Sequence, residues 1–210
     1  MGKQKFYVVW KGRETGIFLT WDDCAKQTKG FKDAKYRAFK ALASAEQAYK
    51  DGWQAHYGKD IFETELSSDE LALVGVPVLE SISVDAAWNT QTGVVEYRGV
   101  DTKSKKELFH QGPFDDGTIN IAEFLAIVHA LAYLKKQGNT LPVYSDSRNA
   151  IQWIKNKAVN TGHEKSENNK KLFELISRAL AWLNTNNYTN EILKWETKAW
   201  GENPADFGRK

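Results

Sequence analysis

Short apolar runs near the N-terminus predict two strands and a helix. The runs KFYVVW (residues 5–10) and IFLTW (17–21) have strand composition and are separated by the turn-forming sequence KGRETG. The following WDDCAKQ (21–27) has the pattern of a short helix, with Thr20 or Asp22 near its N-terminus. The first predicted elements are therefore a pair of strands followed by a helix.

A second helix is predicted further along this N-terminal part. It begins at Ser44, and Gln47 lies three residues later, which is the spacing of a capping box. These elements predict a small α+β domain over residues 1–52. Residues 53–80 show little sustained periodicity, so we predict a linker there, with a short helix near residues 68–73.

From Ser81 onwards apolar and polar residues alternate. Three runs, SISVDAAW (81–88), VVEYRGVD (94–101) and ELFHQG (107–112), are separated by short polar turns. Strands joined by short turns pair in an antiparallel way, so the three runs predict an antiparallel meander.

The spacing then changes to that of helices alternating with strands. The predicted elements are a helix over 121–137, a strand over 141–145, helices over 149–157 and 167–184, and a strand over 191–197. The first helix is expected to place Phe124, Leu125, Ile127, Val128, Leu131 and Leu134 on an apolar side. Strand–helix alternation after a meander predicts an α/β domain with a mixed sheet packed between helices.

Composition agrees with a globular protein outside the membrane. Hydrophobic residues make up 41% of the chain and charged residues 27%. No apolar run approaches the roughly 18 residues of a membrane span, and no signal-peptide pattern opens the chain. Cys24 is the only cysteine, and none of the four histidines lies at zinc-ligand spacing from it. We therefore expect a cytoplasmic protein without an intrachain disulfide. A monomer is also expected, but no sequence feature determines the oligomeric state.

Charge is unevenly distributed along the chain. Residues 1–52 hold 11 basic and 6 acidic side chains, a net charge of +5, whereas residues 53–210 hold 18 and 21, a net charge of −3. A basic N-terminal part suggests a module that binds a polyanion, although an excess of this size also arises by chance.

Four carboxylates stand at notable positions, and each has a structural explanation. Asp85 interrupts a strand and would suit a solvated edge. Glu123 lies three residues after Asn120, which resembles a capping box and suits the helix dipole. Asp146 lies between a strand and a helix, where an N-cap is expected. Asp206 follows a proline and could begin a last helical turn.

The predicted topology gives these carboxylates a second interpretation. They converge at one point of the sheet if the first and fourth strands of the α/β domain are neighbours. Two carboxylates about 5 Å apart repel by roughly 3 kcal/mol at an effective dielectric constant of about 20, so a group of four needs cations. Oxygen ligands without histidine or cysteine favour the hard ions Mg²⁺ or Mn²⁺.

Six sequence segments also resemble a known family. The segments SVDAAW, NIAEFLAIVHAL, VYSDSRNAI and WGENPADFGRK make residues 81–210 similar to the catalytic domain of type 1 ribonuclease H. The segments FYVVWKGRETGIFLTWDDC and GFKDAKYRAFKA make residues 5–50 similar to the hybrid-binding domain that often precedes it.

The resemblance implies a fold, an activity and a metal site. The fold is a ribonuclease H-like five-stranded mixed sheet flanked by helices over residues 81–210, preceded by a small α+β hybrid-binding domain. The activity is hydrolysis of the RNA strand of RNA–DNA hybrids with two Mg²⁺ or Mn²⁺ ions, leaving 5′-phosphate and 3′-hydroxyl ends. The positions that match the family's metal ligands are Asp85, Glu123, Asp146 and Asp206. Asp146 would then be a ligand with a possible second role at the helix start.

One catalytic position departs from many relatives. They carry a histidine in the loop before the last aspartate, whereas this chain has Glu202 there. By resemblance Glu202 takes part in proton transfer or product release; alternatively, it is a solvated loop residue.

The resemblance also identifies positions that contact nucleic acid. In the catalytic domain they are Gln91, Thr118, Asn120 and Arg148, with Ile119 in place of a common asparagine. In the N-terminal domain they are Tyr7, Trp21, Tyr36 and Arg37, with Lys11, Arg13 and Lys35 as weaker candidates and Ala38 in place of a common lysine. The aromatic residues could instead form that domain's own core.

The implied partners are an RNA–DNA hybrid and, through the N-terminal domain, double-stranded RNA. Two other functions stay open. One is a non-catalytic protein that binds hybrid or double-stranded RNA on the same fold, and the other is the chemistry of transposase-like or junction-resolving relatives.

Overall fold

The computed structural model describes residues 4–59, 62–64 and 66–208. Contacts between residues divide the chain into two units, which we call the N-terminal unit and the C-terminal unit. The N-terminal unit consists of Met1–Val76 with Lys198–Gly201, and the C-terminal unit of Pro77–Thr197 with Glu202–Lys210.

The N-terminal unit is built on a small antiparallel sheet. Its elements are β1 (Phe6–Lys11), β2 (Gly16–Phe18), α1 (Trp21–Thr28), β3 (Lys35–Phe39), α2 (Leu42–Asp51), α3 (Trp53–His56) and α4 (Ser68–Val74). The strand order is β2-β1-β3. Val8, Phe39, Ala45 and Ala48 form the core between the sheet and α2, because alternate strand residues and helix residues three apart each share a face.

The starts of the first two helices have different causes. The Thr20 hydroxyl accepts a hydrogen bond from the Asp23 amide, which confirms the predicted cap and ends β2 earlier than expected. The predicted capping role of Ser44 is wrong. Helix α2 begins at Leu42, and its N-cap residue Ala41 has no capping side chain. Burial of Ala45 and Ala48 on the sheet fixes this helix instead.

The segment predicted as a linker contains two helices. His56, at the end of α3, stacks on Trp10 with ring centroids 6.1 Å apart, so contacts of the N-terminal unit extend past residue 52. The expected short helix is confirmed as α4, and Ser67 and Glu70 form its capping box. The function of residues 53–80 as a linker stays a prediction.

The C-terminal unit contains the predicted mixed sheet. Its elements are β4 (Ile82–Trp88), β5 (Val95–Asp101), β6 (Glu107–Phe114), α5 (Ile119–Lys136), β7 (Val143–Ser145), α6 (Arg148–Asn156), α7 (Lys170–Thr185) and β8 (Ile192–Lys194), and α8 (Thr197–Trp200) follows in sequence. The strand order is β6-β5-β4-β7-β8, with an antiparallel meander and two parallel pairs. The first and fourth strands are therefore neighbours, as the convergence of the carboxylates requires.

Helix α5 is the centre of this unit. It packs against β4 and β5 and also against α6 and α7. Apolar burial therefore extends beyond the single side that the sequence pattern predicted, because neighbours cover the helix on several sides. Its buried residues are Ile121, Ala122, Glu123, Phe124, Leu125, Ala126, Ile127, Val128, Ala130, Leu131 and Leu134. Among the described residues, no helix is both long and apolar enough to cross a membrane.

Candidate active site

Two of the predicted carboxylates lie side by side because of strand register. Asp85 lies within the central strand β4, where it is only 7% exposed, so the solvated-edge interpretation is wrong. In the parallel pair of β4 and β7, Ser83 is opposite Tyr144. Continuing this register by two residues brings Asp146, just after β7, beside Asp85.

Glu123 approaches from the helix above the sheet. Helix α5 begins at Ile119, so Asn120 lies inside the helix and does not cap it. Glu123 is 5% exposed, and the Ser145 hydroxyl donates to its Oε2 at 3.4 Å. The capping interpretation of Glu123 is therefore wrong, and its carboxylate faces the sheet.

The cap of α6 is a different residue from the one predicted. The Ala150 amide donates to the Ser147 hydroxyl at 3.2 Å, and Ser147 is the N-cap residue. A second role of Asp146 at the helix start is therefore wrong, because the neighbouring serine satisfies the backbone group. The Asp146 carboxylate therefore takes no part in capping α6.

Asp85, Glu123 and Asp146 form one cluster. One carboxylate oxygen of each lies within 4.8 Å of the others, and no histidine or cysteine among the described residues joins them. Burial raises the pKa of Asp85 to about 7, and the nearby charge of Asp146 adds to this. Burial, followed by the charges of Asp85 and Asp146, raises the pKa of Glu123 well above its usual range.

The C-terminal loop places two further acids near this cluster, although neither belongs to the group of three whose oxygens lie within 4.8 Å of one another. Burial raises the pKa of Asp146, the charge of Lys194 partly opposes this, and the charges of Asp206 and Glu202 add to it. The charge of Asp206 also raises the pKa of Asp85. Asp206 does not begin a helical turn, since its amide donates to the Asn203 carbonyl in a loop turn. Glu202 is exposed, which agrees with both of its interpretations.

The donor set fits a hard divalent cation. Neighbouring ionised carboxylates repel each other. This repulsion and the cost of burying a charge together raise the pKa values of Asp85, Glu123 and Asp146. A bound cation would offset both costs. All the available ligand atoms are oxygens, which suits Mg²⁺ or Mn²⁺ and does not suit zinc.

A cleft of about 930 Å³ opens beside the cluster. Its walls include Asp85 and Asp206 as well as the predicted contact residue Gln91 in the β4–β5 turn. Thr118 is the N-cap residue of α5, and the Asn120 side chain accepts a hydrogen bond from Asn149 at 3.4 Å. Arg148 is exposed at the start of α6. These last three residues lie outside the walls of this cleft.

Three of the predicted residues of the N-terminal unit form an aromatic cluster. The Trp21 ring lies 5.8 Å from Tyr7 and 5.8 Å from Tyr36. Trp21 is 48% exposed and Tyr36 is 37% exposed, and neither belongs to the core. The interpretation of Trp21 and Tyr36 as core residues is therefore wrong, and the aromatic cluster presents ring surface to solvent.

The fourth residue, Arg37, is not placed with the aromatic cluster. It neighbours Tyr36 on β3, and successive strand residues point to opposite faces. Its guanidinium pairs with Glu63 at 2.9 Å and donates to the carbonyls of His56 and Lys59. This geometry favours a structural role for Arg37 and counts against the predicted contact with phosphate.

The weaker basic candidates are also engaged within the N-terminal unit. The Lys35 ammonium lies 4.2 Å from the centre of the Tyr57 ring. Arg13 donates to the carbonyls of Lys26 and Lys29, and Lys11 lies 3.9 Å from Asp33.

Lys194 is the site residue that the sequence analysis missed. It lies on β8, and its charge lowers the pKa of Asp146 against the effect of burial. The only sequence signal was a lysine between the apolar residues Leu193 and Trp195 of the predicted strand, which is also typical of an edge strand.

Fold and site together define an α/β protein with a candidate metal centre made of carboxylates. A family model described as RNase H matches residues 81–198, more than half of the chain, and one described as Ribonuclease H1 N-terminal domain matches residues 5–49. The chain therefore belongs to the ribonuclease H family.

Individual relatives match over shorter stretches. A ribonuclease H of Crithidia fasciculata is 46% identical over 56 residues, which are 27% of this chain and 11% of that protein. A ribonuclease H of Schizosaccharomyces pombe is 38% identical over 45 residues, 21% of this chain and 17% of that protein. The structure of LC11-RNase H1, isolated from compost by a metagenomic approach, is 18% identical with a TM-score of 0.35, over 55% of this chain and 84% of that one.

Proposed function

We propose that this chain is an endonuclease that hydrolyses the RNA strand of RNA–DNA hybrids. The observation that carries the proposal is the cluster of buried carboxylates Asp85, Glu123 and Asp146 beside an open cleft. Membership of the ribonuclease H family supports the substrate class. A purely structural role would not explain why three acids are buried together, because each charge raises the free-energy cost of burying the others.

Four residues would hold the cations. Asp85, Glu123, Asp146 and Asp206 supply only carboxylate oxygens, which suits two Mg²⁺ or Mn²⁺ ions. When bound, such ions supply positive charge that activates a water for attack on phosphorus and stabilises the leaving 3′-oxygen, so the products carry 5′-phosphate and 3′-hydroxyl ends.

The chain's own residues orient the substrate and move protons. Glu123 contacts the 2′-hydroxyl, the group that distinguishes RNA from DNA locally. Glu202, exposed and near enough for its charge to affect Asp146, exchanges a proton with solvent or helps the product to leave. Gln91, in the wall of the cleft, contacts the hybrid there.

The N-terminal unit is proposed to bind hybrid or double-stranded RNA through the aromatic cluster of Tyr7, Trp21 and Tyr36. Exposed ring faces can pack against the sugars of a duplex without sequence preference. The positive charge of residues 1–52 adds attraction to phosphates. This unit would raise affinity for the substrate, while the C-terminal unit performs the hydrolysis.

The test compares three end-labelled substrates in Mg²⁺: an RNA–DNA hybrid, an RNA duplex and a DNA duplex. We expect cleavage of the RNA strand of the hybrid alone. Asp85→Asn and Asp146→Asn should abolish cleavage and keep hybrid binding, while Asp69→Asn, at an exposed position of α4, should cleave like the unsubstituted protein.

Each alternative function has its own outcome in this assay. Hybrid binding without cleavage by the unsubstituted protein would favour the non-catalytic function. Cleavage of the DNA duplex would favour transposase-like chemistry. Cleavage that persists in Asp85→Asn would refute the assignment of the site.

A further inference from the structure

The segment that carries Asp206 is held from a distant strand. Arg98 lies on β5, and its Nε donates to the Ala205 carbonyl at 2.9 Å while its Nη2 donates to the Asp206 carbonyl at 2.7 Å. The guanidinium also lies 4.6 Å from the centre of the Phe207 ring and 3.6 Å from Glu107. Arg98 thus contacts three successive residues of the loop, 205–207.

A second residue holds the same loop from inside. Asn203 is 4% exposed, and its Nδ2 donates to the Val84 carbonyl at 2.9 Å, next to Asp85 on β4. Its Oδ1 accepts from the Ala205 amide at 2.9 Å, and its carbonyl accepts from the Asp206 amide at 2.8 Å. Asn203 therefore ties the turn to the strand that carries another carboxylate of the site.

The loop needs these contacts for an electrostatic reason. Asp206 stands near Asp85 and Asp146, whose charges oppose its approach. The loop has no helical or strand hydrogen bonding of its own around residues 202–208 to hold it there. Both anchors bond to the main chain and make no bond to the Asp206 carboxylate, whose Oδ1 accepts a hydrogen bond from the Gly208 amide at 2.7 Å.

We propose that Arg98 and Asn203 are positioning residues that hold the Asp206 carboxylate in the metal centre. This inference rests on the proposed function, because it assumes that Asp206 is a ligand. Groups that orient a metal ligand typically change metal affinity by about 10- to 100-fold when they are removed. Loss of either anchor should therefore weaken cation binding and leave the chemistry intact once the cation saturates.

The experiment measures Mn²⁺ binding calorimetrically in the absence of nucleic acid. It uses the full chain with Arg98→Gln, Arg98→Lys and Asn203→Ala. We expect Arg98→Gln and Asn203→Ala each to weaken Mn²⁺ binding by about tenfold. Arg98→Lys should recover only part of the affinity, because one ammonium cannot reproduce two guanidinium bonds in fork geometry. Arg178→Gln, which removes the same charge from an exposed position on α7, should bind like the unsubstituted chain.

Two further measurements separate positioning from general stability. Hybrid cleavage should need about tenfold more Mg²⁺ for half-maximal rate in Arg98→Gln, and the rate at saturating Mg²⁺ should stay within about threefold. Hydrogen exchange without metal should become faster at the Ala205 and Asp206 amides and stay unchanged at the core of α5. Circular dichroism checks that each variant is folded. If Asn203→Ala does not fold, Mn²⁺ binding is compared between Arg98→Lys and the unsubstituted chain.

Asp206→Asn separates failure of this inference from failure of the proposed function. If Asp206→Asn weakens Mn²⁺ binding and the Arg98 variants bind normally, the positioning role is refuted and the metal site stands. If Asp206→Asn itself binds Mn²⁺ as tightly as the unsubstituted chain, Asp206 is not a ligand, and both the inference and this part of the site assignment fall.

Discussion

Burial of the carboxylate cluster predicts an unusual pH dependence of stability in the absence of divalent ions. The ordinary pKa of an aspartate is 3.8, and burial together with the charge of Asp146 raises the pKa of Asp85 in the folded chain to about 7. In the unfolded chain the pKa of Asp85 returns to its ordinary value. Between these values the folded chain binds more protons than the unfolded chain, so the free energy of unfolding falls as pH rises through this window.

The size of the effect follows from the shift. A shift of about 3 pKa units at about 1.4 kcal/mol each gives roughly 4 kcal/mol of lost stability at pH 8 relative to pH 4. Glu123 and Asp146 shift in the same direction, so the three acids share protons and the loss extends over several pH units. Replacing Asp85 with asparagine removes one charge from this set without changing its size much.

The perturbation is therefore Asp85→Asn, studied in chelator by urea unfolding with circular dichroism between pH 4.5 and 8. We expect the variant to be about 2–4 kcal/mol more stable than the unsubstituted chain at pH 8, and the difference to shrink as pH falls towards 4.5. Burial lowers the pKa of His129, so this residue makes the free energy of unfolding rise with pH. Its contribution is the same in both proteins and cancels in the comparison. Asp69→Asn serves as the control for loss of an exposed carboxylate.

Divalent ions should narrow this difference in stability. Millimolar Mg²⁺ should stabilise the unsubstituted chain by mass action and stabilise Asp85→Asn much less. The reasoning is refuted if Asp85→Asn is less stable than the unsubstituted chain at pH 8 in chelator, or if Mg²⁺ stabilises both proteins equally.

Three further predictions concern single residues. Ser147→Ala should lower the free energy of unfolding by about 1 kcal/mol and keep hybrid cleavage, because Ser147, and not Asp146, caps α6; cleavage lost at full folding would contradict this. Trp21→Ala should weaken hybrid binding in an anisotropy titration by about 1–3 kcal/mol, with the circular dichroism spectrum unchanged, because the ring is exposed. Arg37→Gln should lower the melting temperature and leave the salt dependence of hybrid binding unchanged, because the guanidinium pairs with Glu63; a smaller salt slope would show that it contacts phosphate.

The sequence by itself predicted many of the local elements and identified the carboxylates that are candidates for chemistry. Period-two alternation from Ser81 predicted the meander, and the Thr20 cap marked the start of α1, because both signals lie in contiguous residues. The carboxylates could be recognised as candidates for the same reason, but each also had a local explanation as a cap or a solvated residue.

Only the tertiary structure decided between those explanations. Register between β4 and β7 brought Asp146 beside Asp85, and packing buried Glu123. Side-chain direction on β3 separated Arg37 from the aromatic cluster. Arg98 holds a backbone group 108 positions away in sequence, and no local pattern carries that information. Propensity and capping act over a few residues, whereas register, burial and long-range hydrogen bonds depend on which distant segments the whole fold brings together.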